Sequence, residues 1–149
     1  MKAVVQRVSN ASVSVDNEII AGINFGLVIF VGINYTDSEK DIDKLAKKIL
    51  ELRIFNDSDD KTNFNVQQVK GEILLISQFT LCADTRKGNR PSFIKAMEPN
   101  EAKKLFNKLF DKLINSGLKI FKGKFGSMMD VQLNNIGPMT IILDTSNAK

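Results

Sequence analysis

Ser77, Gln78 and Thr80 bring polar side chains onto the end of an otherwise apolar run, Glu72–Leu81 (EILLISQFTL). Where a core strand ends in such groups, they must be hydrogen-bonded or put to use. The stretch reads either as a strand end surfacing into a loop or as a small site built from hydroxyls and backbone N–H groups. A second stretch, Asn134–Thr140 (NNIGPMT), sets Gly137–Pro138 between two strand-like segments. Proline cannot donate to a sheet ladder and glycine weakens a strand interior. The pair is therefore a plain turn or a rigid device that aims backbone carbonyls. Since only about 5–6% of X–Pro bonds in folded proteins are cis, a trans turn is the ordinary outcome. A third stretch, Thr85–Phe93 (TRKGNRPSF), carries Arg86, Lys87 and Arg90 around Gly88. It is a solvated loop or a phosphate contact, with Gly88 allowing close backbone approach.

Composition narrows the chemistry. The chain has no histidine, which excludes Ser-His-Asp and Cys-His nucleophiles and every histidine metal ligand. The one cysteine, Cys82, cannot form an intrachain disulfide and reads as a small buried apolar side chain. A zinc site is not expected. Acid–base work must come from carboxylates, lysine, hydroxyls, backbone groups, water or the substrate itself. The net charge of +4 is compatible with a phosphate-bearing partner without requiring one. The longest apolar run, Leu27–Val31, is too short to span a bilayer. The opening MKAVVQRVSN lacks a signal-peptide pattern, so the expected location is cytoplasmic, with no membrane partner.

The elements that must position these groups follow from periodicity. The 149 residues suit one domain spanning 1–149, with residues 144–149 as a loose polar tail. Lys2–Ile20 reads as an opening pair of strands, and Gly26–Ile33 (GLVIFVGI) as a central strand buried on both faces. In Thr36–Arg53, Thr36 and Glu39 have capping-box spacing. Ile42, Leu45, Ala46 and Ile49 then recur at helical spacing. Glu72–Leu81 reads as a second buried strand. In Glu98–Gly117, Ala102, Leu105, Phe106, Leu109, Phe110, Leu113 and Ile114 form one apolar stripe, and Gly117 supplies a stop. LKIFKGKFG, MDVQLNN and MTIILD read as closing strands. The order predicts an α/β fold, with a mixed sheet system and two main helices on one face.

SQFTL (Ser77–Leu81) together with NIGPMT (Asn135–Thr140) resembles the signature pair, SQFT and NxGPxT, of the D-aminoacyl-tRNA deacylase family, the DTD type once called D-tyrosyl-tRNA(Tyr) deacylase. Similarity extends through QRV (6–8), ASV (11–13), LRIF (52–55), NVQQ (65–68), GNRPSF (88–93) and GKFGSMM (123–129). Ser127 departs from an expected alanine, which affects local packing alone.

The resemblance implies a three-layer α/β/β domain and a homodimer with its active sites at the interface. It implies chiral proofreading in translation quality control, with no metal or cofactor. The activity is hydrolysis of the ester of D-aminoacyl-tRNA, and of glycine mischarged on non-cognate tRNA. The site is expected around Ser77, Gln78, Phe79 and Thr80. Amides near Phe79 and Thr80 would hold the oxyanion, and the Thr80 hydroxyl would position water or substrate, or act as nucleophile. Gly137–Pro138 is expected to be cis and to reach into the partner's site as the chiral filter. Phe125, Met129 and Ala102 would line an adenosine pocket or simply pack the core. Arg7 would brace the Gly-Pro segment, and Arg86, Lys87 and Arg90 would meet tRNA phosphates. Alternatives are a non-catalytic RNA-binding dimer and a threonine-nucleophile hydrolase of another ester.

Overall fold

The computed structural model describes residues 1–147. Strand β1 (Lys2–Val15) turns back into β2 (Glu18–Ile23) through Asp16 and Asn17, both at positive φ, 52° and 66°. A two-residue hairpin of the I′ kind requires that conformation, and Asp and Asn tolerate it. Strand β3 (Gly26–Gly32) pairs antiparallel with the first half of β1 and parallel with β6 (Glu72–Ser77). β6 in turn pairs parallel with β7 (Ile120–Lys122), and β8 (Asp130–Asp144) runs antiparallel along nearly all of β1. These strands make one six-stranded sheet, and β2 returns against β6 and β7, so the sheet is nearly closed. β4 (Phe55–Asn56) and β5 (Thr62–Phe64) form a separate two-stranded hairpin.

Helices α1 (Glu39–Glu51) and α2 (Pro99–Ile114) cover one face of the sheet. Their stripes fall as the periodicity predicts: Ile42, Leu45, Ala46 and Ile49 on α1, and Ala102, Phe106, Leu109 and Leu113 on α2, are buried. Leu105 and Phe110 are half-buried against the same cluster, and Ile114 stays exposed. The cap of α1 sits two residues later than expected. Ser38, not Thr36, is the N-cap, and Asp41 returns a bond to its amide at 2.9 Å. A reciprocal box needs a hydroxyl followed by an acid three residues on, and Ser38–Asp41 satisfies it as well as Thr36–Glu39. On α2 the Glu98 carboxylate accepts from the Asn100 and Glu101 amides, and Pro99 opens the helix.

Two apolar clusters occupy the two faces of the sheet. Ala3, Val5, Leu27, Ile29, Ile73 and Leu75 face the helices; Val8, Ala11, Val13, Val28, Leu74 and Ile76 face away. Strand alternation explains the split on β3 and β6. On β1 the parity changes, because Ser9 and Asn10 together oppose Asn134 in a bulge. The extra residue keeps Val8, Ala11 and Val13 on the same side.

The two ends of the chain meet. The Met1 amine contacts the Asp37 carboxylate and the Thr145 hydroxyl, both at 2.6 Å, and Thr145 donates to Asp41. Residues 144–147 therefore do not form the expected loose tail: Asp144 ends β8 and Thr145 is buried. Ala148 and Lys149, the rest of that tail, lie outside the described residues. Among the described residues, no helix is long and apolar enough to cross a membrane.

The β3–β6 junction makes a sharp test. A Cβ on Gly26 would lie 1.9 Å from the Glu72 carbonyl oxygen, which is backbone and cannot swing aside. Gly26→Ala is expected to cost about 3 kcal/mol or more. The check is the urea midpoint at unchanged m-value.

Candidate functional site

The expected strand over Glu72–Leu81 ends at Ser77, and the chain continues as a short 3-10 helix, Phe79–Cys82. The last ladder bond runs from the Gln78 amide to the Val31 carbonyl at 2.7 Å. The turn tucks against Gly32. A Cβ there would lie 2.8 Å from the Leu81 Cβ and 3.0 Å from the Gln78 carbonyl oxygen, so glycine at the end of β3 is what lets the helix close over the strand.

The turn leaves groups pointing outward. The Leu81 amide bonds to the Gln78 carbonyl and the Ala83 amide to that of Thr80. Among the described residues, the Phe79 and Thr80 amides donate to no other group of the chain, as expected for the first N–H groups of a helical turn. Thr80 is exposed, and its hydroxyl accepts from the Gln78 side-chain amide. Among the described residues no carboxylate or lysine is hydrogen-bonded to it. Phe79 stands 58% exposed, edge-on to Phe93 with centroids 5.1 Å apart. Cys82, in the same turn, is buried, and that burial pushes its thiol pKa up. It is inert packing, not a nucleophile.

The Gly-Pro segment is neither a turn between two strands nor a cis bond. MDVQLNN and MTIILD belong to one strand, β8, and no cis peptide occurs among the described residues. Gln6 pairs with Thr140 and Val8 with Asn135, so Ile136–Met139 leave the ladder opposite the single residue Arg7. Proline has no N–H to give, and the excursion removes that demand. Gly137 at φ 107° makes the bend with the Gly137–Pro138 peptide trans, the isomer an X–Pro bond favours by about 0.5–1 kcal/mol. Asn135 ties the excursion at both ends, its side-chain amide donating to the Arg7 and Met139 carbonyls at 3.0 Å each.

Beneath the excursion lies Arg7, only 7% exposed. Its Nη1 donates to the Ile54 carbonyl at 2.6 Å and to Asn56 Oδ1 at 2.9 Å, while Nε has no partner. Among the described residues no carboxylate pairs with it. A Cβ on Gly137 would lie 2.4 Å from Nη2, so the guanidinium occupies the space a side chain would need.

The remaining expected residues scatter. Ala102 is buried on α2. Phe125 packs on the helix-side cluster, 5.7 Å from Phe106, whereas Met129 packs on the opposite one. In the basic loop, hydrogen bonds from Arg86 hold the Asp84 carboxyl well below the usual range, so Arg86 is already neutralised. Lys87 and Arg90 are exposed and make no ion pair among the described residues. Sequence reasoning alone does not single out Asn135 or Asn56. Asn135 is visible as the first letter of NxGPxT, but Asn56 carries no signal.

The two motifs lie far apart within one chain. Arg7 pairs with Leu27 and Leu27 with Ile73, so the excursion is level with the start of β6 and three strand spacings from it, roughly 14 Å. Ser77 lies four residues further along β6, adding roughly 13 Å lengthwise. Measured along the sheet of a single copy, Gly137–Pro138 thus lies roughly 20 Å from Ser77–Thr80.

The family model described as D-Tyr-tRNA(Tyr) deacylase matches residues 4–144. A relative named D-aminoacyl-tRNA deacylase from Aquifex aeolicus (strain VF5) is 52% identical over 145 residues, covering 97% of this chain and 98% of the relative. Another of that name from Thermodesulfovibrio yellowstonii is 49% identical over 145 residues, 97% of this chain and 99% of the relative. A solved structure named "c-Myc DNA Unwinding Element Binding Protein" superposes with TM-score 0.91 at 41% identity, covering 97% of this chain and 98% of that one. A second, named "Structural Analysis of a probable eukaryotic D-amino acid tRNA deacylase", gives TM-score 0.84 at 12% identity over 95% and 97%, a likeness of fold alone.

Asn135→Ala removes both ties across the excursion. The expected result is faster amide hydrogen exchange at the ladder residues flanking the excursion, Asn135 and Thr140, and a loss of about 1 kcal/mol. Unchanged exchange there would show that the excursion holds without Asn135.

Proposed function

The chain belongs to the D-Tyr-tRNA(Tyr) deacylase family, a family of hydrolases acting on aminoacyl-tRNA, and we propose that it frees tRNA from D-amino acids by direct attack of water at the Ser77–Thr80 strand end. The observation that carries the mechanism is the Thr80 hydroxyl: it accepts from Gln78 and, among the described residues, donates to no base. A nucleophile would need the reverse. In this reading Thr80 positions water or the substrate, and the open Phe79 and Thr80 amides receive the oxyanion. Water adds to the ester carbonyl, and the tetrahedral intermediate collapses. The ribose oxygen leaves with a proton, giving free tRNA and the amino acid. An aminoacyl ester is already activated, so positioning and charge stabilisation suffice without histidine.

Selectivity is assigned to the Gly137–Pro138 excursion of a second copy, braced by Arg7. The separation of the two motifs along the sheet of one copy supports action across a homodimer with active sites at the interface. A filter that excludes an L-oriented Cβ cannot exclude glycine, so mischarged Gly-tRNA is also a substrate in this reading. Of the residues expected around the terminal adenosine, Phe125 and Ala102 share the helix-side cluster and are kept in this reading, while Met129, on the opposite cluster, is not. Lys87 and Arg90 meet tRNA phosphates, Arg86 being held by Asp84. The three-layer arrangement and a cytoplasmic location complete the reading; the helices on one face and the separate cluster on the other support the first.

A second reading, nucleic-acid binding without turnover, draws on the DNA-binding name of the 41%-identical structure and on the two unpaired loop cations. Release of tyrosine from D-Tyr-tRNA and L-Tyr-tRNA separates the two. The expected result is release from the D form only; binding without release from either would favour the second reading. Thr80→Ala is expected to slow release by roughly tenfold with no trappable acyl-enzyme. A trapped adduct lost in this variant would instead make Thr80 the nucleophile.

The loop predicts a charge effect. Lys87→Ala and Arg90→Ala should each lower the slope of log affinity for tRNA against log salt by about 0.7–0.9, and Arg86→Ala by less. Equal slopes for the three variants would remove the distinction drawn from Asp84.

A further inference from the structure

Asn56 lies on the β4–β5 hairpin, outside both signature motifs, and connects a surface carboxylate to the buried Arg7. Its Oδ1 accepts from Arg7 Nη1 at 2.9 Å, and its Nδ2 donates to Asp60 Oδ1 at 3.1 Å. The two ends of a primary amide differ in one respect only: one end accepts and the other donates. A carboxylate only accepts. Asp60 therefore holds the amide with its NH2 outward, which turns the oxygen toward Arg7. Flipped, the amide would present N–H to N–H against a cation.

Arg7 depends on that oxygen. It is buried with no carboxylate partner among the described residues, and its Nη1 has two acceptors, the Ile54 carbonyl and Asn56. A buried cation without satisfied hydrogen bonds is costly. Asp60 is itself well placed. It sits at φ 62° in a turn where its amide bonds to the Asp57 carbonyl at 3.1 Å, and the Asp57 carboxylate receives the Asp59 and Lys61 amides and the Asn63 side chain. The hairpin thus delivers one oriented oxygen to the guanidinium that fills the space under Gly137.

We propose that Asn56, oriented by Asp60, is a positioning residue that fixes Arg7 beneath Gly137 and so sets how strictly the Gly137–Pro138 segment rejects L substrates. The inference rests on the reading of that segment as the selectivity element. It adds a hairpin that touches no substrate yet governs discrimination.

The test uses Asn56→Leu, which keeps the volume and removes the acceptor. Asp60→Gly removes the carboxylate and tolerates positive φ, and Asp60→Asn restores an acceptor at the same place. The first readout is the 15N-resolved guanidinium signal of Arg7 in the full chain. Hindered rotation with separate Nη resonances is expected for the native chain and Asp60→Asn, and averaged resonances for Asn56→Leu and Asp60→Gly. The second is the ratio of deacylation rates on D-Tyr-tRNA and L-Tyr-tRNA. It should fall roughly tenfold in Asn56→Leu through faster L hydrolysis, with the D rate held and rescue in Asp60→Asn. Native-like Arg7 resonances, or a native ratio, in folded Asn56→Leu would overturn the proposal. Should Asn56→Leu not fold, Asp60→Gly decides the same question by the same two readouts. Failure of the native chain to act on D-Tyr-tRNA would sink the functional reading and the selectivity role together, and the Arg7 resonances would still decide the positioning role.

Discussion

A proline inside a paired strand is the constraint on which much of the molecule turns. β8 runs along almost all of β1, and Pro138 has no N–H to contribute to that ladder. The chain resolves the conflict by ejecting Ile136–Met139 opposite Arg7 and resuming register at Thr140. Ejected backbone must be held, and three groups hold it. Asn135 ties the two ends, the Arg7 guanidinium fills the floor, and Gly137 supplies a conformation with no side chain to obstruct either. Arg7 in turn needs acceptors, and these come from the β4–β5 hairpin and the segment leading into it.

The Ser77–Thr80 site depends on a different use of backbone. β6 is buried along its length and gives up its last rung at Gln78. Closing into a 3-10 turn leaves two amides with no partner among the described residues, beside a hydroxyl that accepts from Gln78. A histidine-free chain cannot run a Ser-His-Asp relay, and the water-attack reading proposed for this turn does not call for one. What it offers is fixed donors beside an aromatic edge, the equipment for stabilising charge and locating a substrate.

Much of the scaffold was legible because it rests on local rules. Helical stripes, the opening pair of strands and the apolar β3 follow from periodicity, and most stripe residues are buried, with Leu105 and Phe110 half-buried and Ile114 exposed. The misreadings have local causes as well. Two Ser/Thr–acid pairs lie within one turn at the start of α1, and only packing against the chain ends selects Ser38–Asp41. The strand over Glu72–Leu81 reads as one apolar run on composition; Gly32 on a distant strand is what allows the turn. The cis expectation failed because a bulge with a positive-φ glycine makes the bend without it.

By itself, then, the sequence determined the residue types available for chemistry, the motif pair and the faces of the helices, since these depend on side-chain identity and spacing along one chain. Tertiary structure alone decided which of those residues meet. Arg7 reaches Gly137, Ile54 and Asn56 because β1, β8 and the hairpin converge there, none of them close in sequence. The same sheet order holds the two signature motifs apart. Strand pairing is long-range, and its register is set by the whole core and not by any window of residues.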